Sequence, residues 1–132
     1  MWVWIWPSAE VVALDSIALG DAVTWSCREG TRASLVLPPE VDRASVLIED
    51  SDYAHGTDHD FVEVNGRVIG LNVANDQWHR ADEGWWEMTP GTRVWRAADD
   101  TRDATRTPMD GGPSGYLIEL KTSVTRRVVV DG

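Results

Sequence analysis

The sequence has a single cysteine, Cys27, and one phenylalanine among 132 residues, and it contains no long apolar run. One thiol excludes an intramolecular disulfide and the multi-cysteine zinc sites, and fits a reducing compartment. The opening MWVWIW is apolar but has no basic flank, and Pro7, Glu10 and Asp15 interrupt it before a span of about 18 apolar residues can form. Neither a signal peptide nor a membrane span is expected, and the expected location is the cytoplasm. Basic residues are scarce as well: 12 Lys and Arg stand against 22 Asp and Glu, a formal charge of -10. A surface that acidic repels phosphate backbones, so nucleic acid is not an expected partner. The imbalance is concentrated in residues 1–66, with 12 acidic and 3 basic side chains, which makes the first half the place to seek a basic partner.

The length fits one domain, 1–132, able to bury a core without metal or disulfide support. Residues 2–6 are aromatic and β-branched throughout, which suits a pleated strand. A Gly-Asp turn at 20–21 precedes alternating Val23 and Trp25. The stretch 32–37 reads as a strand halted by Pro38 and Pro39, and 43–49 as a strand or, less favoured, part of a short helix. Asn65-Gly66 lies between two β-branched arms, the pattern of a two-residue hairpin turn. Pro90-Gly91 marks another turn, between 85–88 and 93–96. Residues 115–130 read as a last hairpin turning near 121–123, and 97–114, poor in bulky apolar side chains, as a mobile loop. Seven to nine short strands without a long amphipathic helix predict an all-β fold: a small antiparallel barrel or compact sandwich, with the SH3-like barrel preferred.

The opening strand, GDAVTW at 20–25, DYAHG at 52–56 and GRVIGL at 66–71 together resemble a small actinobacterial domain family of unknown function, over about residues 1–75. That family pattern carries a Trp-Gln and a cysteine pair after the first strand, where this chain reads PSAEVVAL. The resemblance implies a small β-domain and supplies no activity.

Chemistry-bearing residues gather in two places. The stretch 49–60 holds Asp50, Asp52, Asp58 and Asp60 with His55 and His59. Its spacing fits no established metal site: read as an EF-hand loop from Asp50, it has His55 where the turn glycine belongs and Phe61 where the bidentate Glu belongs. A solvated acidic loop is the plainer reading, and no cofactor or metal is expected. Cys27 beside Arg28 reads as a small buried hydrophobe ahead of a nucleophile. The second place is the tryptophan set. Eight indoles against one Phe and two Tyr is a skewed choice, since an indole brings a flat amphipathic wall and an N–H to satisfy. Trp4, Trp6, Trp78, Trp85, Trp86 and Trp95, with His79, form a candidate aromatic rim, and adjacent Trp85 and Trp86 point to opposite faces of any strand they share. The plain alternative is that these indoles fill the core.

These features favour a binding protein over an enzyme. The expected partner is either a small apolar or aromatic ligand in a Trp-lined pocket or a basic protein, as for an immunity or inhibitor protein, docking on Asp50, Asp52, Asp58 and Asp60. The rival is a small β-barrel enzyme of cyclase or isomerase type, shaping its substrate and moving a proton through His79 or His55. Residue pattern leaves the oligomeric state open.

Overall fold

Branched and aromatic side chains at alternate positions build strands throughout the computed structural model of the chain, which describes residues 1–7, 16–28, 37–41, 46–49, 61–102, 108 and 111–128. The strands are β1 (Trp2–Ile5), β2 (Ala22–Arg28), β3 (Val46–Glu49), β4 (Phe61–Asn75), β5 (Trp78–Arg80), β6 (Trp86–Met88), β7 (Val94–Ala97) and β8 (Gly115–Val128). Among the described residues there is no α-helix. The all-β expectation holds.

Six strands form one sheet in the order β2-β3-β1-β8-β4-β7, and β2 also pairs with β4. The pairings β1–β3, β3–β2, β2–β4, β4–β8 and β8–β1 therefore run in a closed circuit of five strands. β1 and β3 are parallel, which makes the sheet mixed where antiparallel pairing throughout was expected. β7 lies on the edge of β4 beyond β2, and β5 and β6 form a separate two-stranded ribbon.

Every strand of the circuit sends side chains to one shared core: Val3 and Ile5 from β1, Trp25 and Cys27 from β2, Leu47 from β3, Val62, Val64, Val68, Leu71 and Val73 from β4, and Tyr116, Ile118 and Leu120 from β8. A second, smaller cluster lies on the opposite face of β1, β3 and β8, where Trp4, Val46, Ile48 and Leu117 are covered by Val41 and by half-buried Leu37 and Trp95. Strand alternation explains the division, because Trp2 and Trp4 must turn away from Val3 and Ile5.

Two expected hairpins are corrected. Asn65-Gly66 and residues 121–123 do not turn; each lies inside a continuous strand, of 15 and 14 residues. The two sites face one another. Asn65 pairs with Val124 and Gly66 with Thr122, so Ser123 is an extra residue bulged out of β8 at that point. Gly66 is not among the glycines with positive φ, as a two-residue hairpin turn requires. Strand pairing along both edges of β4, with β2 and β8, outweighs the local turn chemistry. A second bulge follows where Val68 pairs with Leu120 and Gly70 with Glu119, leaving Ile69 as the extra residue. It switches the inward positions of β4 from even numbers to Leu71 and Val73, which keeps apolar side chains inside along a strand too long for one pleat.

Where the 97–114 stretch leaves β7, its first residues bond to the segment ahead of β2. Ala18 bridges Asp100, the amide of Thr101 donates to the Ile17 carbonyl at 2.9 Å, and the Ile17 amide donates to Thr101 Oγ1 at 2.8 Å. The strand at 32–37 and the acidic residues Asp50, Asp52, Asp58 and Asp60, with His55 and His59, lie outside the described residues, apart from Leu37.

Candidate functional site

The tryptophans fall into two groups with opposite surroundings. Trp4 is fully buried. Its ring meets Trp6 edge to face at 5.3 Å and 87°, and Trp95 at 6.3 Å and 77°. The chain's own guanidinium lies against both rings: Arg93 is 5.4 Å from the Trp4 ring centre and 5.7 Å from that of Trp95. Both distances fall within the range of cation–π attraction, about 2 kcal/mol when desolvated. A Trp wall shaped for a cation is thus present, and Arg93 is its cation. Trp6, at 42% exposure, is the most exposed member of this group, and Trp95 is half-buried.

Arg93 is held in turn by Asp76 through two bonds, Nε to Oδ1 at 2.9 Å and Nη2 to Oδ2 at 2.7 Å. The side chains are 11% and 1% exposed, so the pair is largely withdrawn from water. Burial pushes the Asp76 carboxyl upward, but hydrogen bonds and the charge of Arg93, with Ser114 beside it, outweigh that and hold it below its ordinary value. Trp4 Nε1 is buried without a hydrogen-bond partner. An unused indole N–H indicates that Trp4 is fitted for its ring face and volume. Gly115 completes the fit, because a Cβ there would overlap the Trp4 ring.

Asp76 immediately precedes the ribbon and Arg93 follows it, so this ion pair clamps the ribbon's base. Two backbone contacts support the clamp: the Thr89 amide donates to the Gln77 carbonyl at 2.8 Å and the Gln77 amide to Thr92 Oγ1 at 3.0 Å. Above it, Trp78 pairs with Met88, His79 with Glu87 and Arg80 with Trp86, and the turn uses Gly84 at φ +96. Trp78 is half-buried, while Trp85 and Trp86 are 55% and 48% exposed. Glu87 links the tip together, accepting from Trp85 Nε1 at 2.8 Å and lying 3.4 Å from His79 Nε2. The other ring nitrogen of His79 is 2.8 Å from Thr89 Oγ1. His79 and Glu87 are about half exposed, so water surrounds the one described histidine. Asp82 and Glu83 are exposed beside them.

Of the candidate rim, Trp4, Trp6 and Trp95 gather beside Arg93, and Trp78, His79, Trp85 and Trp86 lie on or next to the ribbon strands. Reading the sequence missed Arg93 and the clamp. Its faint signal was an arginine just after the Pro90-Gly91 turn and two residues before Trp95. Also missed was an open cleft of about 360 Å³ between Leu19, Ile69, Leu71 and Ala97–Asp99, which no tryptophan lines. Among the described residues no three His, Cys, Asp or Glu side chains group as metal ligands, and no helix is long and apolar enough to cross a membrane. Cys27 is buried in the main core.

Fold and site define a class: a small mixed-sheet β-domain, closed on itself by strand pairing, with an aromatic ribbon clamped to its side. Residues 15–122 match the family of unknown function DUF6578, and the chain belongs to it. Neither the curated proteins nor the solved structures hold a match to this chain.

Proposed function

We propose that the protein is a binding module that docks a basic protein through its β5–β6 ribbon, with Trp85 and Trp86 as anchors. The observation that carries this reading is the exposure of two adjacent indoles, 55% and 48%, on a ribbon whose base is fixed by a buried ion pair. Leaving large rings in water is unfavourable for the free protein, and their burial on contact returns that free energy to binding. Rigid support reduces the ordering cost of association. Charge supplies the partner's sign: the chain carries -10, Asp82 and Glu83 are exposed in the ribbon's turn, and exposed Glu87 bonds the Trp85 ring. Carboxylates beside indoles suit lysine and arginine side chains, which combine ion pairing with cation–π contact. Asp50, Asp52, Asp58 and Asp60 add to the same attraction at long range.

The test compares native mass spectra of the wild-type protein and a Trp85→Ala/Trp86→Ala variant, each recovered gently from its host's lysate at low salt. A basic polypeptide bound to the wild type, lost from the variant and released by added salt, is the expected result. Identical sets of bound polypeptides for both proteins would refute the ribbon reading.

A further inference from the structure

We propose that the cleft beside the Ile69 bulge is a small-molecule site for a ligand with an apolar body and a primary ammonium head. The cleft follows from the strand arrangement. β2 and β7 share one edge of β4, with Ala22 opposite Arg67 and Ala97 opposite Asn72, and the wall parts between them where Ile69 is extruded. The turn before β2 and the chain leaving β7 meet above this gap, where the Leu19 amide donates to the Asp99 carbonyl at 2.9 Å. The resulting cleft, about 360 Å³, lies within the range of roughly 300–1,000 Å³ usual for small-molecule sites.

Its lining mixes apolar side chains with polar groups. Leu19 and Ile69 are 44% and 51% exposed at the rim, and Leu71 and Ala98 beneath belong to or pack against the main core. Two polar residues are part of this lining, the half-buried Asn72 and the exposed Asp99. Among the described residues, neither the Asn72 side-chain amide nor the Asp99 carboxylate has a hydrogen bond or ion pair, whereas nearby Asp21 caps the Ala18 amide and Asp100 pairs with Arg102. An unengaged carboxylate in a cleft rimmed by Leu19 and Ile69, on a chain of net charge -10, favours a cation with an apolar body, and the amide oxygen of Asn72 is a second acceptor in the same lining. Bulges cluster at functional sites because they re-aim side chains, and here the bulge places an isoleucine at the rim. This site is separate from the ribbon and stands without it.

The experiment is a titration of the ¹⁵N-labelled full chain with n-hexylammonium, followed by amide shifts. Saturable shifts centred on Leu19, Gly70, Asn72, Ala98 and Asp99 are expected. Binding is expected to weaken at least fivefold with ethylammonium, with hexanoate, and in the Asp99→Asn and Ile69→Ser variants, and to be unchanged in Trp85→Ala/Trp86→Ala. Both substituted positions are exposed, and the variants' spectra report folding directly. Shifts that spread over the acidic surface without saturating, or hexanoate binding as tightly as hexylammonium, overturn the proposal. Tighter binding of Nα-acetyl-lysine methylamide than of hexylammonium assigns the cleft to a partner's lysine and overturns its small-molecule form.

Discussion

Two tryptophan groups a few residues apart in sequence meet opposite fates. Trp95 closes with Trp4 around Arg93, while Trp85 and Trp86 stand in solvent. The Asp76–Arg93 pair separates them: on one side its guanidinium fills the aromatic wall, and on the other the pair fixes the base of the ribbon that carries the exposed rings. A large aromatic side chain is thus no guide to function until its neighbours are known. The wall that holds a cation already has one in Arg93, and the exposed rings are the ones on which the proposed binding role rests.

Substitutions should separate the two groups sharply. Trp4→Ala empties a fully buried position and is expected to cost about 3–5 kcal/mol of stability, read from the denaturant midpoint. Gly115→Ala forces a methyl group into the Trp4 ring and should cost roughly 1–3 kcal/mol, with an indole signal of Trp4 displaced in the spectrum. Asp76→Asn leaves Arg93 without its charged partner and should cost about 1.5–3 kcal/mol. This variant also has a pH signature. Because the Asp76 carboxyl is held below its ordinary 3.8 in the folded protein, the pair stabilises fully above that value and less as pH falls through the lowered one. The wild type should therefore lose its advantage over Asp76→Asn in acid, and a gap between the two that is constant from pH 7 to pH 2.5 would contradict the assignment. Smallest is Trp85→Ala/Trp86→Ala, expected to change stability by about 0.5 kcal/mol or less while abolishing partner binding. A large loss of stability there would place these rings in the core after all.

Much of this was legible in the residues. The alternation of Trp2 to Trp6 gave β1 and the separation of Val3 and Ile5 from the indoles, and the Gly20-Asp21 turn gave the start of β2. Asn65-Gly66 and 121–123 misled because turn chemistry is local, whereas the pairing that holds both stretches extended joins residues some sixty positions apart. Adjacency of Trp85 and Trp86 implied that at least one is exposed, and both are. What fills a Trp wall cannot be read from the indoles themselves. Arg93 reaches Trp4 across most of the chain, and only the fold brings them together. The Ile69 cleft left no local trace either, since it arises from two strands parting on a third.

The central claim is that Trp4 is sealed while Trp85 and Trp86 are presented. The most direct measurement is the ¹H–¹⁵N spectrum of the indole N–H groups with a neutral paramagnetic probe in solution. Strong broadening of the Trp85 and Trp86 signals with Trp4 left sharp is the result expected from these exposures. Broadening of Trp4 equal to that of Trp85 and Trp86 would mean that Arg93 does not close the wall, and would contradict the account.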